Sequence, residues 1–228
     1  MKILRFLIVI IVVSYGCQAG KRVSDFKKVK QSIDTISIIP AFIEIKEIGL
    51  GDKITIDTLF SREMSDSISN KISQFLFKKY QIKKYEGYSS INNDVANDLN
   101  QVYYELDNSK KIIPDIEIPN SIFQNSKNYN DRYCIITFVG GLYKTDERIA
   151  KDEKDILPAS IAVAVLSLGH VYLVPSNPAS STMRLILYDK VMKKVLYYKK
   201  STQNGIYPTN ISTIDGFIYE NLKGIYYK

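Results

Sequence analysis

Few side chains in this chain belong to the types that carry out chemistry, and they do not stand in working combinations. His170 is the only histidine, so any histidine-based triad or histidine metal site would have to use it. It sits between Gly169 and Val171 in the most apolar stretch of the sequence. The bland reading is a structural imidazole whose ring packs and whose N–H finds a carbonyl. The functional reading, a general base or pH sensor, needs a carboxylate or solvent beside it. The structural reading is the expectation, and with no charged residue between Asp155 and Arg184 it predicts a lowered imidazole pKa. The two cysteines, Cys17 and Cys134, have neither a CxxC spacing nor a histidine neighbour, so no metal ligand set is expected. Cys134 lies in the apolar run YCIITFV and is read as a small core residue rather than a reactive thiol.

Phosphate-binding glycine loops are absent too. Gly49-Leu50-Gly51 lacks a third glycine and does not open a helix directly, and there is no Walker or G-x-S-x-G motif. The 24 acidic residues are scattered, and a catalytic carboxylate pair cannot be picked out among them. No catalytic residue, cofactor-binding residue, metal site, cofactor or small-molecule substrate is expected. Nucleic acid is not expected as a partner either, because the lysines occur as dispersed pairs rather than one dense run.

Residues 1–16 are different in kind. Lys2 and Arg5 precede the apolar run Phe6 to Val13, and Ser14-Tyr15-Gly16 precede Cys17. A charged start, a short apolar core and small residues make a secretory signal, and the run is too short to cross a bilayer. Cys17 directly after Gly16 resembles a bacterial lipobox, in which the cysteine is lipidated and becomes the first mature residue. Ser14 and Tyr15 depart from the usual Leu and small residue of that motif. Plain cleavage, with Cys17 incidental, is the alternative; lipidation of Cys17 is the expectation. Without residues 1–16 there remain 29 basic and 24 acidic residues, a modest excess suited to anionic headgroups or cell-wall polymers.

The 228 residues, 45% apolar and 24% charged, suit one folded domain. Residues 17–34 read as a lipid-anchored linker and 35–228 as the domain. Thr35 to Tyr85 is its nucleus: the strand ISII closed by Pro40, a loop holding Gly49 and Gly51, a helix and the strand YQIKKY. In the helix Phe60, Met64, Ile68, Ile72 and Leu76 recur every four residues, the period of one buried face. A second helix is predicted from Ile91 to Leu106, with a short one possible near Ser121 to Lys127. Arg132 to Tyr143 is predicted as an interior strand ended by Gly140-Gly141. Residues 144–155 hold nine charges in twelve and read as solvated surface. Residues 156–182 carry no charge; burial in the domain or its oligomer is the expectation, and membrane contact the alternative. Ser181 to Lys200 reads as a hairpin with Asp189 initiating its turn, and a last helix starts near Ser212, where Asp215 fits a capping box.

The order strand, helix, strand, helix, strand, uncharged insertion, hairpin, helix resembles the periplasmic α/β lipoproteins built like the TolB amino-terminal domain. That group includes the curli-secretion subunit, and uncharacterised lipoproteins of the Bacteroidota are the nearest in pattern. The resemblance rests on ISIIP at 36–40, SREMSDSISNKISQFL at 61–76, RYCIITFVGG at 132–141 and RLILYDKVMKKVLYY at 184–198. It implies an α/β (α+β) fold, a single mixed sheet with about three amphipathic helices. It also implies a non-catalytic protein of the cell envelope, at the outer membrane and facing the periplasm. Such a protein would bind a protein partner or assemble with itself. The alternative is a component of an export or transport complex whose 156–182 insertion touches membrane. The insertion does not alternate apolar with polar residues as a pore strand would, which favours the first.

Overall fold

One strand, β6 (Tyr133–Lys144), is the axis on which the sheet is laid. The computed structural model describes residues 20–56, 58–84, 93–110, 113, 115–126, 131–166, 179–205, 208 and 211–227. In chain order these form β1 (Lys21–Arg22), α1 (Phe26–Gln31), β2 (Thr35–Ile38), β3 (Phe42–Ile48), β4 (Ile54–Ile56), α2 (Thr58–Leu76), β5 (Gln81–Lys84) and α3 (Asn93–Asn108). After β6 come α4 (Asp146–Leu166), β7 (Ser180–Asp189), β8 (Lys194–Asn204) and α5 (Ile211–Tyr226). All eight described strands join one mixed sheet, in the order β1-β8-β7-β6-β2-β5, with β3 beside the second half of β6 and β4 beyond it. The expected α/β class with a single mixed sheet is therefore the observed one, with five described helices instead of about three.

β2 and β3 run parallel to the same flank of β6, one after the other, and Pro40 lies between them. Ser37 and Ile38 face Cys134 and Ile135, but Phe42 faces Phe138, so three residues oppose two across the join. Side chains alternate faces along a strand, so one extra residue changes the parity of everything after it. Ile36 and Ile38 before the bulge and Ala41, Ile43 and Ile45 after it thereby share one core. Proline suits the bulge because it has no N–H to leave unpaired. Ile39 N–H donates to the Ile135 carbonyl (3.1 Å) just before it, and the buried Ser65 hydroxyl of α2 donates to the Ala41 carbonyl (2.8 Å) just after.

Two apolar layers result. On one face α2 buries Met64, Ile68, Ile72 and Leu76, and α5 buries Ile214, Ile218, Leu222 and Ile225. The predicted four-residue spacing of α2 is thus the packed one; the side chain of Phe60 lies outside the described residues. On the other face α3 supplies Val95, Leu99, Val102, Tyr103 and Leu106, beside Ile113 to Ile122 of the segment that follows it. Asn120–Ser126 forms the short helix expected there, as a 3-10 turn.

Several expectations need correction. Residues 17–34 are not simply a linker. From Lys21 the chain adds a strand to β8 and a helix, and Val23, Phe26 and Ile33 are buried in the α2/α5 core. The stretch after Pro40 is not loop but the β3–β4 hairpin, announced by the alternation of Ile43 and Ile45 with Glu44 and Lys46. Gly51, at φ +71, turns its tip. Gly140-Gly141 does not end β6, which continues to Lys144. A Cβ at Gly141 would lie 2.3 Å from Pro208, so close packing, not chain reversal, asks for glycine there. Most of the charged run belongs to α4, whose Asp152 pairs with Arg148 of the same helix and with Lys144 at the end of β6. α5 starts at Ile211, and Asp215 pairs with Lys71 of α2. The hairpin holds as expected: Asp189 Oδ1 accepts from the Val191 and Met192 N–H groups (3.0 Å each). Residues 1–19, Ile91, His170 and residues 167–178 of the insertion lie outside the described residues.

Ile68 has no exposed surface, so Ile68→Ala is expected to cost about 2–5 kcal/mol, read as a lowered urea midpoint with unchanged slope.

Candidate functional site

The one site residue expected from sequence, Cys17, precedes the first described residue, Gly20. What the structure adds is the surroundings into which Cys17 leads. Lys21 pairs with Tyr198 at the edge of the sheet, and its ammonium donates to the carbonyls of Leu106 (2.5 Å), Asp107 (2.8 Å) and Ser109 (2.7 Å). The first two are among the last carbonyls of α3, which have no partner within the helix, and the third lies just past its end; a cation there also meets the negative end of the helix dipole.

The same helix end carries a cluster of charges around Asp107. Asp107 Oδ1 accepts from the Tyr198 hydroxyl (2.6 Å), and Oδ2 accepts from Lys200 (2.9 Å) and Arg184 (3.5 Å). The Arg184 guanidinium lies over the Tyr103 ring, 4.8 Å from its centroid. Burial pushes the Asp107 carboxyl up, but the hydrogen bonds from Tyr198 and Lys200 and the charges of Lys200 and Arg184 outweigh it and hold it below its usual value. Burial, then the hydrogen bond to Asp107, pushes the Tyr198 phenol far up. A fixed anion next to a fixed phenol moves no proton near neutrality, so the group fastens α3 to β1, β7 and β8. Sequence reading passed over it, although Tyr198 and Lys200 fall on one face of β8 by two-residue alternation, where the hairpin register sets Arg184 of β7 opposite Lys200.

Cys134 is buried, and burial pushes its thiol up to about 12, which keeps it protonated and unreactive. Among the described residues no three metal-binding side chains come together. No described helix is long and apolar enough to cross a membrane. An open hollow of about 630 Å³ lies between the start of β2 and the end of α2, lined by Ile33, Asp34, Phe77, Lys79 and Tyr80.

Two surfaces stand out instead. At one edge of the sheet β4 pairs only with β3 among the described strands, and Ile54 and Ile56 are 59% and 51% exposed. Near Gly20, the end of α5 meets α1 and the end of α2. There Lys30 donates to the Gly224 and Tyr227 carbonyls and Lys79 to that of Tyr226. Burial, then the charges of Lys79 and Arg22, brings the Lys30 ammonium down to about 8.

No protein-family model matches the chain, and no curated protein matches its sequence. Among solved structures, the PelC dodecamer from Paraburkholderia phytofirmans is 11% identical at a TM-score of 0.33, covering 90% of this chain and 92% of that one. The lipoprotein GNA1162 from Neisseria meningitidis is 8% identical at 0.33, covering 86% of this chain and 99% of that one. The hypothetical protein CT253 from Chlamydia trachomatis is 12% identical at 0.29, covering 76% and 74%. At these scores none of the three carries an argument about this chain.

The Asp107 group has a pH signature. Unfolded, the carboxyl binds its proton at higher pH than in the fold, so its contribution is present above about pH 4 and is lost as pH falls further. Asp107→Asn should flatten the acid side of the stability curve, read as denaturation midpoints between about pH 3 and pH 6.

Proposed function

We propose that this is a non-catalytic lipoprotein of the bacterial cell envelope, held to a membrane by lipid on Cys17 and working by binding a protein partner or a second copy of itself. The outer membrane, with the domain in the periplasm, is the location that goes with this reading. So does the resemblance to the TolB amino-terminal-domain group and to lipoproteins of the Bacteroidota.

The observation that carries the binding role is the uncovered edge at β4. A strand edge presents unpaired N–H and C=O groups, and proteins that stay monomeric protect such edges with charge, proline or a covering element. Here the outermost three residues are Ile-Thr-Ile, all exposed, with Leu50 exposed at the hairpin tip. An added strand would satisfy the edge and cover Ile54 and Ile56 in one step. The membrane role is supported by the leader, since Phe6 to Val13 and Gly16-Cys17 are followed only three positions later by Gly20, next to strand β1. No described feature favours the export-complex reading: the first part of the 156–182 stretch continues the charged helix α4 to Leu166.

Labelled palmitate should enter the wild type and not Cys17→Ala; equal labelling of both would remove the anchor. Cross-linking in intact membranes should give a higher-mass species that the Ile54→Lys/Ile56→Lys variant loses while its unfolding free energy stays within about 0.5 kcal/mol of the wild type. A species that persists in this variant would move the binding surface away from β4.

A further inference from the structure

The surface around the end of α5 has no part in the Asp107 group or in the β4 edge. We infer that it is a second membrane contact, a basic and aromatic face that lies on anionic lipid headgroups beside the anchor. The inference rests on the reading of Cys17 as the anchored residue.

Covalent length comes first. Only Gln18 and Ala19 separate Cys17 from Gly20, three Cα-to-Cα steps that span about 11 Å when fully extended. Cβ atoms built at Gly20 and at Gly224 would both fall within 3 Å of the Tyr197 hydroxyl, so the chain enters the domain beside the end of α5. The lipid can therefore sit only a short way from this corner, and the corner rests near the bilayer rather than hanging from a long tether.

Chemistry comes second. Arg22, Lys30 and Lys79 come together here from β1, α1 and the turn after α2. Lys27 and Lys28 stand on the same six-residue helix as Lys30, and Lys78 precedes Lys79. The carboxylate facing them is that of Glu220, with Asp25 and Asp34 flanking α1. Lys27, Lys28 and Lys78 are exposed and form no ion pair among the described residues. Phe77 and Tyr227 stand out at 61% and 51% exposure, and Tyr219 packs edge-on to Tyr227. Aromatic rings with lysines around them fit the headgroup layer, where rings partition to the interface and each lysine is drawn to negative charge. Lys30 and Lys79 are held by carbonyls at the end of α5, which fixes two cations beside the exposed Tyr227 where anionic headgroups can meet them. An acyl anchor with a basic patch is also the two-part combination that holds a protein firmly to membranes.

The protein contains no tryptophan, so a single introduced one reports alone. Full-length protein carrying Tyr227→Trp or, as a control, Ile56→Trp would be made in a lipidating host. Each would be reconstituted into vesicles of phosphatidylcholine, with or without phosphatidylglycerol and brominated acyl chains. β4 lies five strands from β1, about 24 Å across the sheet, so the control reads the far edge. The Tyr227→Trp reporter is expected to be quenched on phosphatidylglycerol vesicles and the Ile56→Trp reporter not. Adding Lys27→Gln/Lys28→Gln, or raising salt to about 1 M, where screening acts within about 3 Å, should abolish the difference. Equal quenching of the two reporters, or a blue-shifted but unquenched Tyr227→Trp protein, would overturn the contact, the latter by showing a protein surface there instead. Palmitate labelling reads the anchor separately. Label without quenching removes only this surface, and quenching without label removes only the anchor.

Discussion

The fold depends on keeping one apolar face continuous along β6 while two separate strands pair with it. A strand that passed Pro40 in register would turn Ile43 and Ile45 away from α2 and carry Phe42 into its place. The extra residue at the join prevents this, and Ser65 supplies the hydrogen bond that the interrupted ladder cannot give to Ala41. The small residues Ser61, Ser65 and Ser69 are all buried along α2, so the helix lies close to the sheet where the bulge sits. Helix position, strand parity and proline placement are thus parts of one constraint. A second bulge does the same at the hairpin. Leu187 pairs with Tyr197 but Tyr188 with Val195, so Leu196 and Tyr197 both reach the α5 core while Tyr198 turns to the other side.

Charge plays a complementary part. The buried Asp189 binds two N–H groups of its turn and the guanidinium of Arg132, which ties the β7–β8 turn to the start of β6. Asp107 ties the end of α3 to three strands. In both places a carboxylate closes an element's end and is itself engaged by cations, the arrangement that makes a partly buried charge tolerable. These carboxylates hold the frame.

The elements with simple periods were legible beforehand. The four-residue repeat of Met64 to Leu76, the hairpin around Asp189 and the body of the interior strand expected at 132–143 all stand where the residues put them, because period and turn chemistry are local. The parts that failed depend on distant partners. Residues 21–33 look like a polar tether until β8 supplies a strand to pair with and α5 a core for Phe26. Gly140-Gly141 reads as a stop until Pro208 is seen against Gly141. The switch from even to odd apolar positions across Pro40 was visible in ISIIPAFIEI, and only its meaning required β6. Likewise no local signal could join Lys21 to Asp107, which are brought together by the packing of α3 on the second face.

Lys21 has a mechanical consequence. It opens β1 and grips three carbonyls at the end of α3, while its neighbour Arg22 accepts through its own carbonyl from the Ile113 N–H (3.2 Å). Any pull on the chain ahead of Gly20 therefore loads a two-residue strand backed by a charged clamp before it reaches the core. β1 is antiparallel to β8, so a pull along the strand shears its hydrogen bonds together, whereas a pull away from the sheet edge opens them one at a time. The direction of load at the first residues decides whether the domain resists as a unit or peels from its edge.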